Sequence, residues 1–157
     1  MSKYQLPDFL QKQDTEKQYT VDKDNYEKWL RSQASRHRKR DMNYFEKHNE
    51  QFDHTNEQYK ISIHKAVCDS NGKDFYTGEP LDWNMINTWD NEKAKNTKSY
   101  KKDFKNLPTI DHIDRENFHN EIKFQICAWS VNDAKNDLSH NEFLTLCKKV
   151  NEYASSK

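Results

Sequence analysis

The stretch LPTIDHID, residues 107–114, sets an acid and an imidazole side by side as Asp111 and His112. A β-like apolar run precedes them and a polar, loop-like run follows. Two explanations are open for such a pair: chance placement on a solvated surface, or the working groups of a metal-dependent hydrolase. Further along, Asn132 and Asn136 lie four residues apart, the spacing that puts two side chains on one face of a helix. A short two-stranded unit folded against that helix would bring Asp111, His112, Asn132 and Asn136 together.

The elements needed for this are legible in the pattern. LPTIDHI (107–113) carries the β-branched Thr109, Ile110 and Ile113 and reads as a strand, and KFQICAW (123–129) reads as a second. Ser130 followed by Asp133 predicts a helix start, and Ser139 followed by Glu142 predicts a capping box. The second box opens an amphipathic stripe of Phe143, Leu144, Leu146, Cys147 and Val150, read as core scaffold. Earlier in the chain, Tyr26, Trp29, Leu30 and Ala34 mark one helical face over about 24–40. Residues 41–56 read as more helix or a connector. Tyr59, Ile63 and Val67 mark another helix over 58–68. Asn71-Gly72 and Thr77-Gly78 are turn signals. The organisation expected is a polar leader (1–23), a basic helical region (24–70) and a C-terminal core (71–157), the last two packed as one domain.

Composition narrows the function classes. Of the 157 residues 32% are hydrophobic and 33% charged, so the core is modest; at 13% aromatic, much of it must be Trp, Tyr and Phe, with all four tryptophans read as core. Two glycines and three prolines argue against an all-β sandwich or a Gly-rich phosphate cradle. Three cysteines with no C-x-x-C pair argue against a disulfide framework and a structural zinc site, and point to a reducing, cytoplasmic setting. Cys127 reads as a buried small hydrophobe. No signal-peptide pattern and no run of roughly 18 apolar residues is present, so no membrane span is expected. Twenty-six cations balance 26 anions, yet RSQASRHRKR (31–40) and KAKNTKSYKKDFK (93–105) are strongly basic patches. Such local charge suits a polyanion partner.

These residues resemble the HNH endonucleases. The pair Asp111-His112 matches the acid and histidine that end the family's first strand. FQICAWSVNDAK (124–135) is similar to its Leu-Gln-x-Leu-Cys stretch running into Asn-x-x-Lys, and LSHNEFLTLCKKV (138–150) to the helix that follows in bacterial and phage members. The element YTGEPLDW (76–83) stands where many members carry a Cys-x-x-Cys-Gly hairpin. The motif-bearing part covers about 75–150. The resemblance implies an α+β fold, mostly helical, with a small C-terminal ββα-metal motif. It implies His112 as the general base, Asp111 and Asn132 as ligands of one divalent metal, Asn136 as a further ligand with His140 as runner-up, and Lys135 near the phosphate. Lys123 stands where many members have a base-orienting asparagine, with Asn117 and Asn120 as candidate substitutes. DNA is the implied partner, held by Arg31, Arg36, Arg38, Lys39, Arg40, Lys101 and Lys102. His37 is expected to contact phosphate. His119 and His140 are expected to face solvent, and His64 to be packed or on the surface.

The chemistry agrees with these residue types. A neutral imidazole within hydrogen-bond reach of water contributes about 10²–10⁴ in rate. A hard cation neutralises charge on the phosphate and the departing oxygen. An Asp with Asn ligands gives an oxygen-rich site of low charge, which favours Mg²⁺, with Mn²⁺ or Ni²⁺ as alternatives. The expectation is a metal-dependent DNA endonuclease. The competing reading is a DNA-binding module that keeps the ββα shape without cleaving. An RNA nuclease would use the same chemistry, but no RNA-binding element is recognisable.

Overall fold

The structure is a computed structural model, described over residues 4–11, 19–97, 99–113 and 121–157. It is mixed helix and strand, 58% helical, an α+β arrangement. Its described elements are the helices α1 (Asp8–Gln11), α2 (Lys23–Lys47), α3 (Asn56–Ser70), α4 (Asn91–Asn96), α5 (Tyr100–Asp103), α6 (Trp129–Lys135) and α7 (His140–Ser155), with strands β1 (Pro108–His112) and β2 (Phe124–Ala128).

Helix α2 starts where Asp22 accepts a hydrogen bond from the Asn25 amide, and it runs beyond the predicted 24–40. Its buried side chains are Tyr26, Trp29, Leu30, Ala34, His37, Asp41 and Phe45. Those positions recur at three- and four-residue steps, so one stripe faces the core for the whole length. Helix α3 opens with a capping box of Thr55 and Gln58, and lays Tyr59, Ile63 and Val67 against α2. It stops at Asn71, which takes the left-handed conformation (φ 46°) that Asn and Gly tolerate best.

The two strands pair antiparallel, from Pro108 opposite Ala128 to His112 opposite Phe124. Alternation along the strands gives the sheet two faces. Ile110, Phe124, Ile126 and Ala128 join the core beneath α2 and α3. Thr109, Asp111, Gln125 and Cys127 face the other way, towards Tyr76 and α6. Burial pushes the Cys127 thiol up to about 12, as fits a small inert core residue.

Asp74 ties the turn after α3 to this sheet. One of its oxygens accepts from the amides of Tyr76 and Thr77, the other from the amide of Ala128 at the end of β2. Gly72 (φ 79°) lies against Phe9, and a Cβ there would meet that ring at 3.0 Å.

Among the described residues of the polar leader, Leu10 and Val21 are buried, and Tyr4, Leu6, Phe9 and Tyr19 pack on the core. Two expectations need correcting. Helix α6 begins at Trp129 with no side-chain cap, and Ser130 donates to the Lys105 carbonyl instead. Helix α7 has the predicted Ser139–Glu142 capping box but is not core scaffold: only Phe143 is buried, while Leu144, Leu146, Val150 and Tyr153 are exposed. Among the described residues no helix is long and apolar enough to cross a membrane.

Candidate functional site

Neighbouring residues on a strand point to opposite faces, and this separates Asp111 from His112. The pair becomes the centre of two distinct polar clusters.

On the α6 face, the Asp111 carboxylate is buried at 6% exposure and fully engaged. Its Oδ2 accepts from the Tyr76 hydroxyl at 2.9 Å and from Gln125 Nε2 at 2.8 Å. Its Oδ1 meets Lys135 Nζ at 3.0 Å. Lys135 is itself 6% exposed, so it is not placed to reach out to a phosphate as expected; two buried opposite charges in hydrogen-bond contact hold each other in place. Burial and the adjacent Asp111 raise the Tyr76 hydroxyl well above the usual phenol range. Asn132 is nearby, with its Nδ2 3.3 Å from Thr109 Oγ1 and 3.4 Å from the carbonyl of Ile110. Asn136 is not on that face. It is the cap residue beyond α6, exposed and at φ 49°, because the helix ends at Lys135.

On the α2 face, His112 Nε2 is 2.9 Å from Asp41 Oδ2, and the same oxygen accepts from the Tyr59 hydroxyl at 2.7 Å. His112 Nδ1 is 2.9 Å from an Arg40 nitrogen, and Arg40 also reaches His37 Nδ1 at 3.2 Å. A guanidinium only donates, so both Nδ1 atoms are acceptors and the Nε2–H of His112 donates to Asp41. Burial would raise Asp41, but the hydrogen bonds and charge of His112, with the Tyr59 hydroxyl, outweigh it and hold the carboxyl below its ordinary value. His37 was expected to touch phosphate and instead is 7% exposed, packed against the rings of His112 and Phe124. Burial, then the Arg40 and His112 charges, push it down to about 3. Asp41 and Tyr59 are participants that the family resemblance does not supply, and Tyr76, which opens the YTGEPLDW element, is given no role by it. The signal was present for Asp41, since it continues the buried stripe of α2.

The other predicted residues are dispersed. Arg31, Arg36, Lys39, Lys101 and Lys102 are exposed. Arg38 is half-buried, donating to the His54 carbonyl at 2.7 Å and lying over the Phe52 ring. His140 is half-buried against the rings of Phe75 and Tyr76, not free in solvent. His64 is half-buried with Nδ1 2.8 Å from the Tyr26 hydroxyl. Lys123 is exposed and pairs with Glu121. Asn117, His119 and Asn120 lie outside the described residues.

Among the described residues no three His, Cys, Asp or Glu side chains gather closely enough to hold a metal ion. Asp111 suits a cation by charge and by its hard oxygens, and the Lys135 ammonium stands where that charge is required. A divalent ion at Asp111 would have to displace that ammonium. No protein-family model matches the chain, and no match was found among curated proteins or solved structures.

Proposed function

We propose that the chain is a DNA endonuclease that hydrolyses phosphodiester bonds with His112 as general base. The observation that carries this reading is the relay Tyr59–Asp41–His112–Arg40 at the end of β1. It has the parts of a base: an imidazole held in one tautomer, a carboxylate to stabilise the imidazolium, and an exposed guanidinium beside the reactive nitrogen. Asp41 does for His112 what Lys123 does not. A phosphate drawing Arg40 towards itself would release Nδ1 to take a proton from water, and the cation would then face the charge that develops on phosphorus oxygens. Asp111, with Asn132, is the proposed seat of one divalent cation, which would displace the Lys135 ammonium; Mg²⁺ is the simplest, Mn²⁺ or Ni²⁺ the alternatives, and Asn136 is not placed to join them. When bound, such an ion supplies charge neutralisation at the phosphate and the leaving oxygen.

A second reading has its own observation. The buried Lys135–Asp111 pair closes the carboxylate to a cation, and Asp111 and His112 lie on opposite faces. A DNA-binding module with this ββα shape and no cleavage would look the same. Plasmid cleavage with Mg²⁺, Mn²⁺, Ni²⁺ or EDTA separates the two. The nuclease reading expects supercoiled DNA to be nicked or linearised with metal. It expects His112→Ala to be folded and silent, and Asp41→Asn to be slowed about 10²-fold or more. Wild type that binds DNA and cuts under none of these conditions leaves the binding module.

A further inference from the structure

We infer that Trp89 and Trp129, with Lys101, form a stacking platform for an unpaired nucleobase, so that the favoured nucleic acid carries a single-stranded segment. The inference rests on the DNA reading above and sharpens its substrate class. Two of the four tryptophans, Trp29 and Trp83, are buried in the main core. Trp89 and Trp129 are half-exposed and stand outside that core. Their rings stack at 5.9 Å between centroids with 27° between planes. Tyr100 and Phe104 buttress Trp89, each at 5.1 Å.

The group is held from several sides. Trp89 Nε1 donates to Asn91, and the Tyr100 hydroxyl accepts from the Asp90 amide. The Trp129 amide donates to the Leu107 carbonyl, next to β1. A satellite aromatic cluster would be an ordinary second core if its segment carried no net charge. Here residues 89–105 expose Lys93, Lys95, Lys101, Lys102 and Lys105, a positive excess over Asp90, Glu92 and Asp103 even with Lys95 paired to Glu92 at 2.8 Å. Lys101 Nζ lies over the Trp129 ring, 5.7 Å from its centroid. An ammonium on a ring face is readily exchanged for a base stacked there, after which the lysine is free for the adjoining phosphate. Aromatic faces within a lysine-rich surface are the complement of a single strand, whose bases are exposed and whose backbone is anionic.

The platform also has a useful position. Trp129 follows Ala128, which pairs with Pro108, and Asp111 is three residues further along β1. That separation is about 10 Å, the length of about three stacked nucleotides. A strand stacked on Trp129 and laid along β1 would reach its end, where the two polar clusters lie.

The test is fluorescence anisotropy in EDTA with a labelled 16-nucleotide oligo(dT) and its duplex with oligo(dA), over a range of salt. Expected is tighter binding of the single strand, lowered about 5- to 100-fold by Trp129→Leu or Trp89→Leu, with the duplex little affected. Trp129→Phe should keep most of the affinity. Lys101→Gln should reduce the single-strand salt slope by about 0.7. Should the leucine variants not fold, tryptophan emission of the wild type is read instead: quenching by saturating oligo(dT) supports the platform, and unchanged emission overturns it. Folded leucine variants that bind oligo(dT) like wild type also overturn it, as does equal loss for both DNA forms. Duplex binding without single-strand preference overturns the platform and leaves the DNA reading standing. No binding of either form overturns both.

Discussion

At the scale of the residue, each half of the Asp111-His112 pair is defined by its partners. Asp111 depends on Lys135. Removing that ammonium leaves a buried charge unpaired, so Lys135→Met should cost about 3–5 kcal/mol in chemical denaturation, with Asp111→Asn in the same chain recovering most of it. If the carboxylate is a cation site, Mg²⁺ should raise the Tm of wild type, where the ion must displace the ammonium, and raise that of Lys135→Met by more, because the variant presents an open oxygen. A Tm that ignores Mg²⁺ in both would count against the cation. On the other face His37 is buried neutral at about 3. Its unfolded value is near 6.5, so the unfolded chain binds more protons between those limits. Stability should therefore be full above pH 6.5 and fall as the pH drops towards 3. Asp41, also held below its ordinary value, loses its contribution in the same direction on acidification. Thermal melts from pH 7.5 to 4 should show this fall, and His37→Gln should make it shallower.

At the scale of the element, α7 and α2 differ in how much of their amphipathic stripe is used. Phe143 packs edge-on to Tyr76 at 5.3 Å and is 8% exposed, whereas Val150 is 61% exposed. Phe143→Ala should cost about 3–5 kcal/mol, and Val150→Ser should change stability by no more than about 0.5 kcal/mol. Equal costs in urea unfolding would mean that the outer part of α7 has a buried face. Helix α2 uses the whole length of its stripe. Its outer turns carry the exposed Arg31, Arg36 and Lys39, while its inner face delivers Asp41 to His112. One helix thus supplies both the basic surface and the carboxylate of the relay.

At the scale of the molecule, the net charge of zero hides that distribution. Overall charge offers no attraction for DNA, so the proposed binding would have to come from local basic surface, a term that is salt-dependent. Replacing Arg31, Arg36 and Lys39 by Gln one at a time should each lower the slope of log affinity against log salt by about 0.9 if the residue meets a duplex phosphate. The loss should be the same for unrelated sequences, since phosphate contacts carry no sequence information. A slope that does not change in any of the three moves the duplex footprint away from the outer face of α2.

The sequence by itself determined the elements. The 3–4 spacing of Tyr26, Trp29, Leu30 and Ala34, the β-branched run around Ile110, and the box of Ser139 with Glu142 are local signals, and local signals set helices, strands and caps. It also singled out Asp111, His112, Asn132 and Asn136 as a group, of which the structure keeps Asp111 and Asn132 near one another, sends His112 to the opposite face and leaves Asn136 exposed at the end of α6. What it could not contain was which side chains meet across the fold. Asp41 and His112 are 71 residues apart, and Lys135 and Asp111 are 24 apart; such contacts follow from packing two helices and a helix against opposite faces of one small sheet. The alternation of that sheet, a rule the sequence obeys, sends adjacent residues to different faces, and only the tertiary structure decided which neighbours wait on each.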